Sequence, residues 1–301
     1  MAVNPWLPKQ ALGRGVIVFA LVFIIVVLWL PISETFYLSF FVREPGLKEF
    51  TGLSNFQKLL FDDEIFWKSL LVTARFAFMA VPGVVILGLL LAVAVNNIHN
   101  LSVRGIFTAS FFSAYVVPLV AVALVWRYIY LPGKQGLLNL VLDWVDLGPI
   151  RWLNSSEWAL RSLAILRVWK EAGYAMVLFL AGLQAIPATY YDAAKVDGAN
   201  FWQRFWYITL PLLMPTMAFV VIITTLSASL AFTEVYVMTV EAGGDRGGPN
   251  FATNLMSFHI FKTTISYGHE GYGSAMSAIF FVIMVAIGYI QYRFIRAVYD
   301  Y

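Results

Sequence analysis

No cysteine occurs in the 301 residues, which excludes disulfides, thiolate nucleophiles and Cys-ligated zinc. Histidine is nearly as scarce: the three present, His99, His259 and His269, lack the close spacing of a metal-binding pair. Charge is the third scarcity. Only 12% of the residues are charged against 60% hydrophobic, too little to cover the surface of a soluble globule. The net charge of +3 comes from scattered Lys and Arg without a basic run, so nucleic acid is not an expected partner. Also missing are a G-x-x-x-x-G-K-[ST] phosphate loop, a G-x-S-x-G elbow and an H-E-x-x-H pair. The glycine-rich run at 243–248 follows no nucleotide-binding strand. No catalytic site, metal site or cofactor is therefore expected in this chain.

What the chain has in quantity is long apolar runs, with a mean hydropathy of +0.77. These make it a membrane protein whose main solvent is the lipid bilayer. A spanning helix needs about 20 mostly apolar residues, and that length lays out six candidates, near 16–40, 66–95, 106–130, 159–183, 208–240 and 272–294. The fold expected is an all-α, polytopic bundle of six transmembrane helices. The first run follows Lys9 and Arg14 as a signal peptide would, but lacks a small-residue cleavage site, so it is read as a retained span. Basic residues flanking the spans are concentrated in short segments on the side of Arg104, Lys195, Arg204 and Arg293. On the other side they are interleaved with Asp and Glu. The positive-inside rule then favours both termini in the cytoplasm.

One connection is unlike a plain loop. After Pro187, which cannot continue a helix, Thr189 and Asp192 stand as T-x-x-D, a capping-box-like start with an acidic group near the positive helix end. Gly198 breaks that short helix and Asn200 can cap a second. Phe201, Trp202, Phe205 and Trp206 then give one aromatic face. Such a hairpin either lies in the headgroup layer or docks its aromatic face into a groove on a partner protein.

The string Asp192-Ala193-Ala194-x-x-Asp197-Gly198-Ala199, followed by Phe205, Ile208, Leu210 and Pro211, resembles the EAA motif of permease subunits in binding-protein-dependent ABC importers. Asp stands here for the usual first Glu. Trp169-Lys170 and the run FLAGLQAIPATYYDAA are similar to the MalF-type sugar permeases, as are the segment from Ala231 to Lys262 and Gly271-Tyr272-Gly273-Ser274-Ala275-Met276-Ser277. The resemblance implies a MetI-like type I importer core. It divides the chain into 1–65 (tail, first span and extracytoplasmic loop) and a five-span core, 66–301, whose cytoplasmic coupling loop lies near 187–211. It further implies that Asp192, Ala193, Ala194, Asp197, Gly198, Ala199, Phe201 and Phe205 meet an ATPase subunit. The small alanines permit close packing, Gly198 makes the turn, and Asp192 either caps its helix or contacts a basic group of the ATPase. ATP and Mg would be bound by that separate ATPase dimer. The other implied partners are a second, MalG-type permease and an extracytoplasmic substrate-binding protein docking on loops near 133–151 and 241–269. The implied location is the cytoplasmic membrane of a bacterium or archaeon.

Ionisable residues inside spans are costly and face the bundle interior, water or a partner charge. Arg167, Lys170, Glu171 and Tyr174 fall at i, i+3, i+4 and i+7, one helical stripe. Glu171 can pair with Arg167 or contact substrate, and the Tyr174 ring can stack on a sugar. Thr224, Ser227, Ala231 and Glu234 form a second stripe on the fifth span, read either as helix packing or as path lining. Glu171, Tyr174, Thr224, Ser227 and Glu234 are thus the substrate-path candidates. The substrate expected from the resemblance is a di- or oligosaccharide. A glycerol phosphate ester stays open through Arg167 and Lys170, and an ion-coupled secondary transporter stays open through the two buried carboxylates.

Overall fold

The computed structural model describes residues 9–239 and 247–299. Most of the glycine-rich run at 243–248, with part of the second proposed docking loop, lies outside the described residues. In chain order the elements are α1 (Lys9–Ile24), a π turn (Ile25–Trp29), α2 (Leu30–Leu38), strands β1 (Phe41–Glu44) and β2 (Leu47–Phe50), and α3 (Ser54–Gln57). Then come α4 (Glu64–Asn96), α5 (Leu101–Val116), α6 (Leu119–Ile129), α7 (Leu137–Asp143) and α8 (Ala159–Ala185). The remainder is α9 (Ala188–Val196), α10 (Phe201–Arg204), α11 (Leu210–Ser229), α12 (Thr233–Thr239), α13 (Met256–Phe261) and α14 (Glu270–Tyr299). Among the described residues, four helices are long and apolar enough to cross a membrane: Gly13–Leu38, Glu64–Asn96, Phe201–Ser229 and Glu270–Phe294. Two bent pairs, α5 with α6 and α8 with α9, bring the total to six.

Two compact units divide the chain. One comprises residues 1–63 with 260–283, the other 64–259 with 284–301. In the first, β1 and β2 form an antiparallel hairpin pairing Phe41 with Phe50 and Glu44 with Leu47, a small departure from the all-α expectation. Asn55, buried, donates its side-chain amide to the carbonyls of Ser39 (2.9 Å) and Phe41 (2.8 Å), holding the hairpin to the end of α2. Arg43 pairs with Glu270 at 2.9 Å and the Tyr272 hydroxyl donates to Asp63 at 2.6 Å, fastening the start of α14 to the same unit.

The second unit is built around α8, which packs along α4 and α5, with α11 crossing α4. Its contacts are close because small residues face one another. A Cβ on Gly88 of α4 would stand 2.6 Å from the Ala175 Cβ, and one on Gly173 of α8 would stand 2.1 Å from the Phe111 carbonyl oxygen. Without water in the bilayer to drive apolar association, such backbone proximity is what holds spans together. Side chains such as Phe76, Leu163, Leu166, Val235 and Met238 fill one core. Val84, Met176, Phe179, Leu213 and Val220 fill a second.

Two spans depart from the sequence expectation. The third is not continuous: α5 and α6 meet at 92° across Val117–Pro118. The fifth ends at Ser229, and Glu234 lies in the first turn of a separate helix, α12. Neither Pro82 within α4 nor Pro215 within α11 ends its helix. Proline alone therefore does not explain the break at Pro118; partners for the freed carbonyls do, as described next.

Candidate functional site

At the end of α8, Ile186 turns extended and α9 begins directly after Pro187, which occupies the cap position itself. Thr189 therefore falls inside the helix and makes no side-chain cap. Asp192 instead pairs with Lys195 at 2.9 Å, both exposed. The expected capping role of Thr189 and Asp192 is corrected on that ground: proline supplies the break and the helix starts too early for threonine to cap it. The other end of α9 is built as the sequence requires. Gly198 adopts φ +78°, its N–H donates to the Lys195 carbonyl at 3.1 Å, and the Ala199 N–H donates to Ala194 at 2.9 Å. These two bonds satisfy helix-end carbonyls through a left-handed glycine. Asn200 then opens α10 with a reciprocal box, its Oδ1 accepting from the Gln203 N–H (2.9 Å) and the Gln203 Oε1 accepting from the Asn200 N–H (2.8 Å).

The aromatic face of this hairpin is in fact two. Phe201 and Phe205 line a cavity of about 430 Å3 shared with Asn96 of α4, Tyr191, Asp192 and Arg204. Trp202 and Trp206 point away and are 66% and 58% exposed. On α9 and the turn after it, Ala193, Val196, Asp197 and Gly198 are exposed, whereas Ala194 and Ala199 are half-buried. Val196, an aliphatic residue 89% exposed, gives this knob an apolar tip.

Deep in the second unit, the α8 stripe gathers the breaks of the neighbouring helices. The Lys170 ammonium donates to three backbone carbonyls at the end of α5: Ala114 (3.3 Å), Tyr115 (3.0 Å) and Val117 (2.6 Å). Carbonyls left without helical N–H partners at the Pro118 break are thereby satisfied, as a span requires. Arg167 does the same for α11, donating through Nη2 to the Ser227 carbonyl. Its Nη1 stands 3.2 Å from Glu234 Oε1 and its Nε stands 3.4 Å from Glu171 Oε1. Ser227 Oγ donates to Glu171 at 2.8 Å. Glu234, fully buried, reaches the cluster from the first turn of α12, near the positive end of that helix. Its Oε1 is close enough to Arg167 for an ion pair, but neither of its oxygens, nor the Arg167 Nε, makes a hydrogen bond.

Of the path candidates, Glu171, Ser227 and Glu234 meet in this cluster. Tyr174, half-buried, stacks on Tyr115 with ring centroids 4.6 Å apart and planes 14° from parallel. Thr224 is buried and returns its hydroxyl to the Val220 carbonyl of its own helix at 2.6 Å. The placement of Glu234 on the Thr224 stripe is corrected: the helix ends between them, and the carboxylate arrives from α12. Tyr115 was not among the sequence candidates, although Pro118 three residues later signalled that its helix ends nearby.

Comparison with known proteins agrees with this architecture. Residues 16–299 match the family model described as binding-protein-dependent transport system inner membrane component. The chain is 35% identical over 283 residues to the trehalose/maltose transport system permease protein MalF of Thermococcus litoralis, covering 92% of this chain and 91% of that one. It is 30% identical to the lactose transport system permease protein LacF of Rhizobium radiobacter, covering 91% and 90%. It is 33% identical to the sulfoquinovosyl glycerol transport system permease protein SmoG of Agrobacterium fabrum, covering 88% and 84%. A chain in the crystal structure of a bacterial ABC transporter importing the acidic polysaccharide alginate superposes with a TM-score of 0.81 at 21% identity, covering 96% of each chain. The chain is thus a multi-pass membrane protein belonging to the inner membrane component family of binding-protein-dependent transport systems.

Proposed function

We propose that the chain is a transmembrane permease subunit of an ATP-driven ABC importer, forming part of the path for a di- or oligosaccharide handed over by a substrate-binding protein. The observation that carries the reading is the hairpin of α9 and α10. A helix closed by Gly198 and another opened by the Asn200 box make a knob whose exposed surface includes Ala193, Val196 and Asp197, suited to insertion in a partner's cleft. Its partner in this reading is a dimer of ATPase subunits that binds ATP and Mg. A second permease of the MalG type completes the membrane pair. The knob is then cytoplasmic, as are both termini.

Motion entering through α9 reaches α8 across Pro187, and α8 carries the polar stripe. Glu171, Tyr174, Thr224, Ser227 and Glu234 are assigned to the path. In this reading Tyr174 and Tyr115 form the platform on which a sugar ring stacks, while the ion cluster forms the polar wall beside it. The trehalose/maltose and lactose permeases among its relatives support a saccharide as cargo.

The buried carboxylates favour a second reading, ion-coupled transport without an ATPase. Reconstitution distinguishes the two. Saccharide uptake into proteoliposomes is expected to require the ATPase, binding protein and ATP together. Uptake by this chain alone under a proton or sodium gradient establishes the second reading.

A further inference from the structure

We infer that the groove between α4 and α8, at the membrane face opposite the α9 hairpin, holds an anionic phospholipid; this goes beyond the permease reading and does not depend on it. Gly83 of α4 meets Val168 of α8 and Gly88 meets Ala175, so the two helices run in parallel and begin at the same face. α9 follows the other end of α8. Near their first turns α4 and α8 enclose a cavity of about 800 Å3, with Lys68 and Arg75 on one wall and Glu157 and Arg161 on the other. Asn250 closes its rim, donating its amide to the Ser156 hydroxyl at 3.2 Å. A second cavity of about 430 Å3 shares Met79 and Arg161 with the first, and its other walls are apolar, among them Leu87, Ile165 and Trp169.

The cations stand at the level of lipid phosphates. From Phe76 to Val95 α4 carries no charge, and at 1.5 Å per residue that run is about 30 Å long, the thickness of the hydrocarbon core. Arg75 is therefore placed where the hydrocarbon ends. Among the described residues it has no ion pair or hydrogen bond, and Leu71 and Phe78, a turn to either side, are exposed. An unpaired cation at that depth takes its counter-charge from outside the chain. The groove has none to lend: Glu157 is committed to Arg161 at 2.8 Å, and Lys68 stands 5.2 Å over the Phe251 ring. Three cations against one carboxylate leave the lining positive. A phosphate diester offers paired oxygens to the guanidinium fork, whereas the ammonium of a zwitterionic headgroup finds no free carboxylate. The apolar cavity below receives an acyl chain. A carboxylate from a neighbouring protein would answer Arg75 and leave that cavity unfilled; a phospholipid fills both.

The test is lipid retention by the purified full-length chain, delipidated in detergent, titrated with phosphatidylglycerol or phosphatidylethanolamine of equal acyl length and read by native mass spectrometry. The parent is expected to hold phosphatidylglycerol about tenfold more tightly, the difference one charge-assisted contact makes. Arg75→Gln should weaken that binding about tenfold and erase the preference. Ile165→Trp, which fills the apolar cavity and keeps every charge, should weaken both lipids. Both positions are exposed, so the core is spared. Lys134→Gln, at an exposed cation outside the groove, should change neither. Equal retention of the two lipids by the parent, or unchanged retention in Arg75→Gln, overturns the inference. Loss of the lipid when a second permease assembles makes the groove a protein interface and overturns it too, as does displacement by inorganic phosphate, which assigns the cations to a soluble anion. Selective retention by a chain that then proves to transport no saccharide supports the lipid site and counts against the permease reading alone.

Discussion

Arg167→Met is the most informative perturbation of the membrane core. The guanidinium side chain is 7% exposed, and its partners Glu171 and Glu234 are 10% and 0% exposed. Removing one member of a buried ion pair costs about 3–5 kcal/mol, because the remaining charge is left without compensation. The Ser227 carbonyl also loses its donor, at about 1–3 kcal/mol when the group stays buried. The two costs share one side chain, so the loss expected is at or above the upper end of the first range. Removing the opposing charge as well should recover much of it: in Arg167→Met/Glu234→Met the pair is gone and Glu171 retains Ser227 and the neighbouring Lys170. Equilibrium unfolding in mixed detergent micelles supplies the double-mutant cycle. A coupling energy of about 2–3 kcal/mol is expected for residues in direct contact. A single variant as stable as the parent refutes the reasoning, as does a double variant whose cost equals the sum of the singles within about 0.5 kcal/mol.

Gly88→Val should separate α4 from α8, since even a Cβ there stands 2.6 Å from Ala175 and 3.2 Å from the Met176 nitrogen; overpacking of about 1–3 kcal/mol is read as a lowered Tm of the purified protein. Asn139 is buried and bonds the Leu131 and Ile150 carbonyls, the Ile150 N–H and the Trp152 indole. Asn139→Leu leaves all four unmatched, and limited proteolysis should begin to cut between residues 131 and 152. Asn200→Ala removes the box that opens α10, at about 1 kcal/mol. ATPase stimulation by loaded binding protein should fall while membrane insertion is unchanged.

The broad architecture was legible because spans announce themselves by length and composition alone, and the α9–α10 hairpin because its signals are local. Gly198 and Asn200 act through bonds to residues within five positions along the chain, so pattern reading finds them. Thr189 misled for the same reason. Its spacing to Asp192 suits a cap, but spacing does not tell that the helix already starts at Ala188. The break at Ser229 was not legible, and the one at Val117 was marked only by a proline of a kind that α4 and α11 tolerate, since what stabilises both is supplied from α8, more than fifty positions away in each case. The stripe of Arg167, Lys170, Glu171 and Tyr174 was visible as a stripe. That its two cations serve as caps for foreign helices is a tertiary fact. The single aromatic face became two because Phe201 and Phe205 turn toward Asn96 of α4 while Trp202 and Trp206 do not.

The central claim is that an ATPase seats on the α9 knob, and the absence of cysteine makes it directly measurable. Val196→Cys gives the chain one thiol, at a position 89% exposed. The account predicts fast labelling by a membrane-impermeant maleimide in inside-out vesicles lacking the ATPase, strong protection once the ATPase is assembled, and no labelling in intact cells. Equal labelling with and without the ATPase, or labelling from outside the cell, contradicts it.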